Sequence, residues 1–165
     1  MTRSELEILI KRKAAITVTI FAACLAINTL IGGSNSSKIL SNTIQANNLW
    51  AWYQAKNVRT VVYQTTADTI PDKRLAQYYH QEIQRLRDSP SEGMEALASK
   101  ARALEAERDT AKKRSPYFTY AGSFLQIAIV LSSAAILAVA MPLFWASVAV
   151  GAVGSTLFLY GVFGV

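Results

Sequence analysis

Residues 117–165 read YFTYAGSFLQIAIVLSSAAILAVAMPLFWASVAVGAVGSTLFLYGVFGV, 49 residues without an Asp, Glu, Lys or Arg. That is too long for the core helix of a small soluble domain. A bilayer core of ~30 Å takes ~20 apolar residues per helix, so the run is long enough to cross twice. Near its middle, at Met141-Pro142, proline cannot continue an incoming helix but can open the next. The stretch therefore predicts two transmembrane helices, 117–140 and 143–163, joined by a turn short enough to force an antiparallel hairpin.

Upstream of the hairpin, the charges are gathered into two blocks. The chain has 165 residues, 52% hydrophobic and 17% charged, with a formal net charge of +6. Residues 1–13 carry four basic and two acidic side chains, net +2, and residues 34–116 carry thirteen basic and nine acidic ones, net +4. The basic residues stand at helix–membrane junctions or alternate with acids. That arrangement fits anchoring to lipid headgroups and argues against a nucleic-acid partner. The single cysteine, Cys24, has no intramolecular disulfide partner.

Residues 2–13 read either as a short amphipathic helix on the membrane surface or as a frayed terminus. Ser4 and Glu7 have capping-box spacing, and Leu6, Leu9 and Ile10 share a face. After Lys11-Arg12-Lys13 the chain is uncharged to Ser37, and its apolar part, 14–31, is just long enough to span. A cleaved signal would have a shorter apolar core, and a lipoprotein signal at Cys24 would be followed by polar rather than apolar residues. The favoured reading is an uncleaved first transmembrane helix over 14–33, ended by Gly32-Gly33-Ser34-Asn35-Ser36 acting as a hinge. Asn35-Ser36-Ser37 also matches a glycosylation sequon, a triplet common by chance.

The extramembrane segment, 34–116, reads as helical with almost no strand signal. Leu40, Ile44, Ala51, Ala55, Val58 and Val62 recur at helical spacing, with Asn47 filling one slot, which predicts a long helix with an apolar stripe. Within it lies Trp50-Ala51-Trp52-Tyr53-Gln54-Ala55-Lys56. Trp52 and Lys56 are one turn apart, close enough for a cation–π contact. Such a cluster, Trp50, Trp52, Tyr53, Gln54 and Lys56, serves either as internal packing or as a partner surface. Further on, Thr69 and Asp72 suit a helix start, with Pro71 in the first turn, and Leu75, Tyr79, Ile83 and Leu86 share a face. Ser89-Pro90-Ser91-Glu92 has the form of a cap, proline and capping-box glutamate opening another helix. In that helix Leu97, Ala101, Leu104 and Ala111 have heptad spacing, with Arg108 in one expected apolar slot. Leu97 and Leu104 thus join the candidate interaction surface. Ser115-Pro116 then reads as the start of the second membrane helix, with Tyr117, Phe118 and Tyr120 as its interfacial belt.

The order of a membrane helix, a polar helix carrying Trp50, Tyr53, Gln54, Ala55 and Lys56, a charged helical segment and a terminal hairpin resembles an uncharacterised bacterial membrane family, domain-of-unknown-function family 4337. The stretch Leu104-Glu105-Ala106-Glu107-Arg108-Asp109 is similar to a Leu-Glu-x-Glu-Arg-Asp run before the hairpin in that family. The likeness covers nearly the whole chain. It implies an architecture and a bacterial-type inner or thylakoid membrane, and it implies no activity.

Inside the membrane, Asn28 and Gln126 are the strongly polar side chains and are expected to make interhelical hydrogen bonds. Ser147, Gly151 and Ser155, spaced four apart, form a small-residue seam that either closes the hairpin or joins subunits. Two basic clusters, 11–13 and 112–114, lie on either side of one crossing and cannot both be cytoplasmic. The first helix usually dominates, which favours a cytoplasmic N-terminus and a periplasmic or lumenal 34–116. The basic turn that relatives place between the last two helices is absent here.

Catalytic signatures are missing. His80 is the single histidine, without a second ligand at metal spacing. There is no nucleophile elbow and no phosphate-binding glycine loop. No Asp, Glu, Lys, Arg or His lies in the predicted spans, which argues against proton-coupled transport. The chain therefore reads as an all-α integral membrane protein with three transmembrane helices and a helical segment between the first and second. It is expected to use no metal or cofactor and to act as a non-enzymatic assembly, scaffold or accessory subunit, contacting lipid and either itself or a larger membrane complex. The alternative is a small oligomeric channel or transport accessory, with Asn28, Gln126 and Ser132 lining a pore.

Overall fold

The computed structural model describes residues 3–164, with the side chains of Arg3, Ser4 and Leu6 excepted. Among the described residues there are four helices and no strand: α1 (Arg3–Thr69), α2 (Lys73–Asp88), α3 (Met94–Ala138) and α4 (Met141–Phe163). The capping box and apolar face read at Ser4 and Leu6 lie outside the described side chains. Their neighbours belong to α1 itself rather than to a separate surface helix: Ile10 is buried, and Lys11 pairs with Glu7 at 2.5 Å.

Three expected helix boundaries are moved or erased. Gly32-Gly33 does not break α1, which runs through it. The reason is packing: a Cβ on Gly32 would stand 3.2 Å from the Cβ of Phe118, so the missing side chain lets α3 come close. Likewise Ser115-Pro116 does not start a helix, because Pro116 lies inside α3. An internal proline removes one backbone bond and costs about 3 kcal/mol in isolation. Here Asn35 donates to the Ala111 carbonyl at 2.9 Å and Asn28 to the Phe118 carbonyl at 3.0 Å, tying α3 to α1 on both sides of the proline. These bonds fix the proline-containing stretch of α3 against α1 without reaching the Lys112 carbonyl, the acceptor that proline at 116 leaves without its helical N–H.

The third change is at Ser89, which closes α2 rather than opening α3, its N–H donating to the Arg85 carbonyl. Pro90 explains this, since the residue before proline is pushed out of helical geometry, and Ser89 has ψ 124°. The chain then turns at Gly93, where a Cβ would meet the Ser89 carbonyl oxygen at 2.5 Å, and α3 begins at Met94. By contrast, Asp72 caps α2, accepting from the Arg74 N–H at 2.9 Å, with Pro71 just ahead of the cap. The break in the apolar run falls at Val139-Ala140, next to Met141-Pro142. Val139 has a φ of 50°, a left-handed conformation that a β-branched residue adopts only under strain.

The chain divides into two compact units. Unit 1 comprises Met1–Ser37 with Thr110–Val165, and unit 2 comprises Lys38–Asp109. In unit 1 the helices meet through small apolar clusters. Phe21 packs with Leu125 and Ala128, with Cys24 against them, and Ala14 packs with Ala135 and Phe144. The ring of Phe21 lies so close to α4 that a Cβ on Gly151 would come within 2.0 Å of it. At Gly154 a Cβ would crowd Leu125, including its backbone nitrogen at 3.1 Å. Polar groups are inside this unit: Ser132 and Ser147 share a buried hydrogen bond of 2.5 Å, and Ser147 also donates to the Ala128 carbonyl at 2.9 Å. Large apolar side chains, among them Ile20, Leu30, Val130 and Leu137, face outward.

Unit 2 is built differently. Its core holds Ile83 and Leu86 of α2 and Met94, Leu97 and Ala101 of α3. From α1 it receives Asn42, Ala46, Thr60 and Ala67, a small and polar face. Tyr63 of α1 stacks on Tyr79 of α2 with ring centres 5.3 Å apart, while Leu75 stays exposed.

Candidate functional site

The apolar stripe of α1 in unit 2 faces away from the packed core. Leu40 is 63% exposed, Ile44 51%, Val58 63% and Val62 54%, with Ala51 and Ala55 exposed between them. The residues that α1 turns inward lie about half a helical turn away, with Ala46 fully buried and Thr60 2% exposed. At 100° per residue the stripe and the buried face are on opposite sides of the helix. Periodicity reveals such a stripe but not which way it points. Asn47 and Asn48 are also exposed, Asn47 in the stripe and Asn48 at its border.

The aromatic cluster divides between these two faces. Trp50 is half-buried, donates its indole N–H to Glu105 at 3.0 Å and meets the Tyr53 ring edge-on. Trp52 is 64% exposed, beside the stripe, and Gln54 is exposed as well. The expected contact between Trp52 and Lys56 is replaced, because Lys56 donates to the Glu92 carbonyl. Tyr53 opens onto a cleft of about 730 Å³ that also meets Arg87, Asp88, Glu95 and Arg102. Two guanidinium groups face two carboxylates there, so the cleft has no net charge to select an ion.

Leu97 and Leu104 lie on the face that α3 packs inward. Leu97 is buried and Leu104 half-buried, both within unit 2, because the heptad face of α3 is its packing face. Arg108 is half-buried in the slot where the pattern expects an apolar side chain. Its guanidinium is bonded to Asp109 at 2.9 Å, which raises its pKa further. Glu107 accepts from Lys38 at 3.2 Å and from Asn42 at 3.4 Å. These hydrogen bonds, with the charge of Lys38, hold its carboxyl below the ordinary value of 4.5.

In unit 1, Ser147 and Gly151 face the neighbouring helices of the same chain. Ser155 bonds back to the Gly151 carbonyl of its own helix, and buried Gly154 and Gly161 continue the seam. Gln126 is exposed on α3 and takes no part in this packing. Asn28 is buried with its amide bonded to Phe118 and its Oδ1 without a partner. Sequence reasoning missed Asn35 and Asn42, although Asn28, Asn35 and Asn42 are spaced seven apart and each bonds to α3. His80 is exposed, and among the described residues no cluster of three His, Cys, Asp or Glu could hold a metal ion.

The family model described as a domain of unknown function, DUF4337, matches residues 10–164. The chain belongs to the DUF4337 family. The match covers both units, so the outward stripe, the asparagines of α1 and the small-residue seam of α4 all lie within the family's domain. No curated protein and no solved structure matches this DUF4337 chain.

Proposed function

We propose that this DUF4337 protein is a three-span integral membrane protein that does no chemistry of its own and works as an assembly or accessory subunit. Unit 1 supplies the spans, at 14–33, 117–140 and 143–163, with 1–13 and 34–116 outside the bilayer. Three helices, α1, α3 and α4, are long and apolar enough to cross a membrane. Support for lipid around unit 1 comes from its inverted pattern, with polar Asn28, Ser132 and Ser147 inside and large aliphatic residues outside. Where the solvent is itself apolar, helices associate through small residues and internal hydrogen bonds rather than by hiding aliphatic surface. The basic residues at 11–13 and 112–114 would lie at lipid headgroups. A bacterial-type inner or thylakoid membrane is the proposed setting, with a cytoplasmic N-terminus and a periplasmic or lumenal 34–116.

The observation that carries the assembly role is the outward stripe of α1 in unit 2. An exposed, contiguous apolar face on a water-facing segment marks an interaction surface. The pore reading is weaker, since Asn28 and Ser132 direct their hydrogen bonds into a single chain. Gentle extraction followed by size-exclusion chromatography with light scattering, and mass spectrometry on the same peak, tests the proposal. A discrete oligomer or a stoichiometric complex with identified subunits is expected. A monomer with no partner would contradict it.

A further inference from the structure

We propose that the outward stripe of α1, from Leu40 to Val62, docks against the same stripe of a second copy of this chain, the two helices parallel and in register with Asn47 facing Asn47. This inference rests on the assembly reading and names its partner. It begins with spacing. Leu40, Ile44, Asn47, Ala51, Ala55, Val58 and Val62 step by four, three and four residues, twice over, an eleven-residue repeat. That period, about 3.67 residues per turn, keeps one face aligned along a nearly straight helix. The stripe covers roughly three heptads of helix, the length at which a repeating face becomes a credible helix–helix seam. It is about 33 Å long at 1.5 Å per residue.

Charge then argues for an identical partner. From 39 to 55 the chain has no charged residue, and the lysines that bound this segment are both engaged within unit 2. Lys38 pairs with Glu107, and Lys56 donates to the Glu92 carbonyl. Over 40–55 two copies can thus close on each other without like charges meeting, and Arg59, exposed between Val58 and Val62, stands at the border of the stripe. Side-chain size agrees, because Ala51 and Ala55 at the middle of the stripe let two backbones approach.

Asn47 sets the register. Placed against an apolar groove of another protein, its amide would be desolvated without partners, at the cost attached to any buried unpaired polar group. Opposite its own counterpart, each amide has both a donor and an acceptor to offer the other. A lone asparagine in an apolar helical seam fixes register and partner number in this way. With the two stripes overlapping along their whole length, a parallel, in-register arrangement brings the two Asn47 side chains to the same level, whereas an antiparallel one, centred on Ala51, would set Asn47 opposite Ala55. Trp52, exposed beside the stripe, would flank the seam.

Disulfide crosslinking of the full-length chain in the membrane of the cells that produce it tests this. In a Cys24→Ser background, single cysteines replace Asn47, Ala51, Gln45 or buried Ala46, and a mild oxidant is added. Dimers of the chain are expected from Asn47→Cys and Ala51→Cys and not from Ala46→Cys, with Gln45→Cys weak. Ile44→Glu with Val58→Glu, both at exposed positions, should lower the Ala51→Cys dimer yield about tenfold while the purified protein keeps its helical circular dichroism. No homodimer from any stripe position, or equal yields around the whole helix, would overturn the proposal. Crosslinks only to a different, identified protein would also overturn it but leave the assembly role standing. Absence of any crosslink together with a monomeric mass in mild detergent would sink both.

Discussion

Unit 1 and unit 2 both turn large aliphatic side chains outward, but in different patterns. In unit 1 they surround the helices: Ile16, Ile20 and Ile27 on α1, Ile127, Val130 and Leu137 on α3, Val153 and Leu159 on α4. Unit 2 exposes its aliphatics mainly along one helix, α1, with its charged side chains elsewhere on the surface. The same local signal therefore carries two meanings. All-round exposure calls for an apolar solvent, whereas a single exposed stripe on an otherwise polar body calls for one partner.

A charge placed on each surface separates these meanings most sharply. Ile27→Asp puts a carboxylate on the outward side of unit 1 and, with lipid as the proposed solvent there, should cost about 2.5–3.5 kcal/mol of membrane insertion. Leu40→Asp, in the stripe of unit 2, should leave the fold of the single chain within about 0.5 kcal/mol and weaken association only. Insertion assays and thermal unfolding in mild detergent read the two effects. If both substitutions behaved alike, the distinction between the units would fail.

Packing inside unit 1 comes next in size. Gly151→Ala drives a methyl group into the Phe21 ring, and overpacking of this kind costs about 1–3 kcal/mol. Adding Phe21→Leu should restore part of the loss, which a double-mutant cycle in detergent would detect. Ser147→Ala removes the partner of Ser132 and should cost about 0.6 kcal/mol and no more than about 1.7. A larger loss would mean that hydrogen bonds rather than small residues hold unit 1 together.

The smallest effect belongs to unit 2 and depends on pH. The folded-state carboxyl of Glu107 lies below its ordinary value of 4.5. Its stabilising contribution is therefore complete above that value and is lost as pH falls through the lower folded-state one. The pair with Lys38 is exposed on both sides, so the change should be slight. Unfolding measured from neutral to acid pH should show a small downward step that Glu107→Gln removes.

Much of this architecture is legible in the sequence. The uncharged 49-residue run and the proline at 142 mark the hairpin, and Asp72 is recognisable as a cap. Continuity of α1 through Gly32-Gly33 and of α3 through Pro116 is not, because rules for single residues omit what a neighbouring helix supplies. Gly32 is small for the sake of Phe118, and Pro116 is flanked by bonds from Asn28 and Asn35. The seven-residue spacing of Asn28, Asn35 and Asn42 was visible, but Asn35 reads first as part of a sequon. The outward direction of the stripe could not be read at all. Leu40 and Ile44 have the spacing of core residues, and only the burial of Asn42 and Ala46 on the other side shows which face unit 2 uses.

Spin-label accessibility scanned along α1 from 14 to 62 in bilayer vesicles tests the central claim most directly. Labels at Ile16, Ile20, Ile27 and Leu30 should meet oxygen dissolved in lipid and be shielded from a water-soluble relaxing agent. Labels at Leu40, Ile44 and Val58 should be shielded from both, while Gln45 meets the aqueous agent. Aqueous access at 16–30, or a stripe at 40–58 as open as its flanks, would contradict the account.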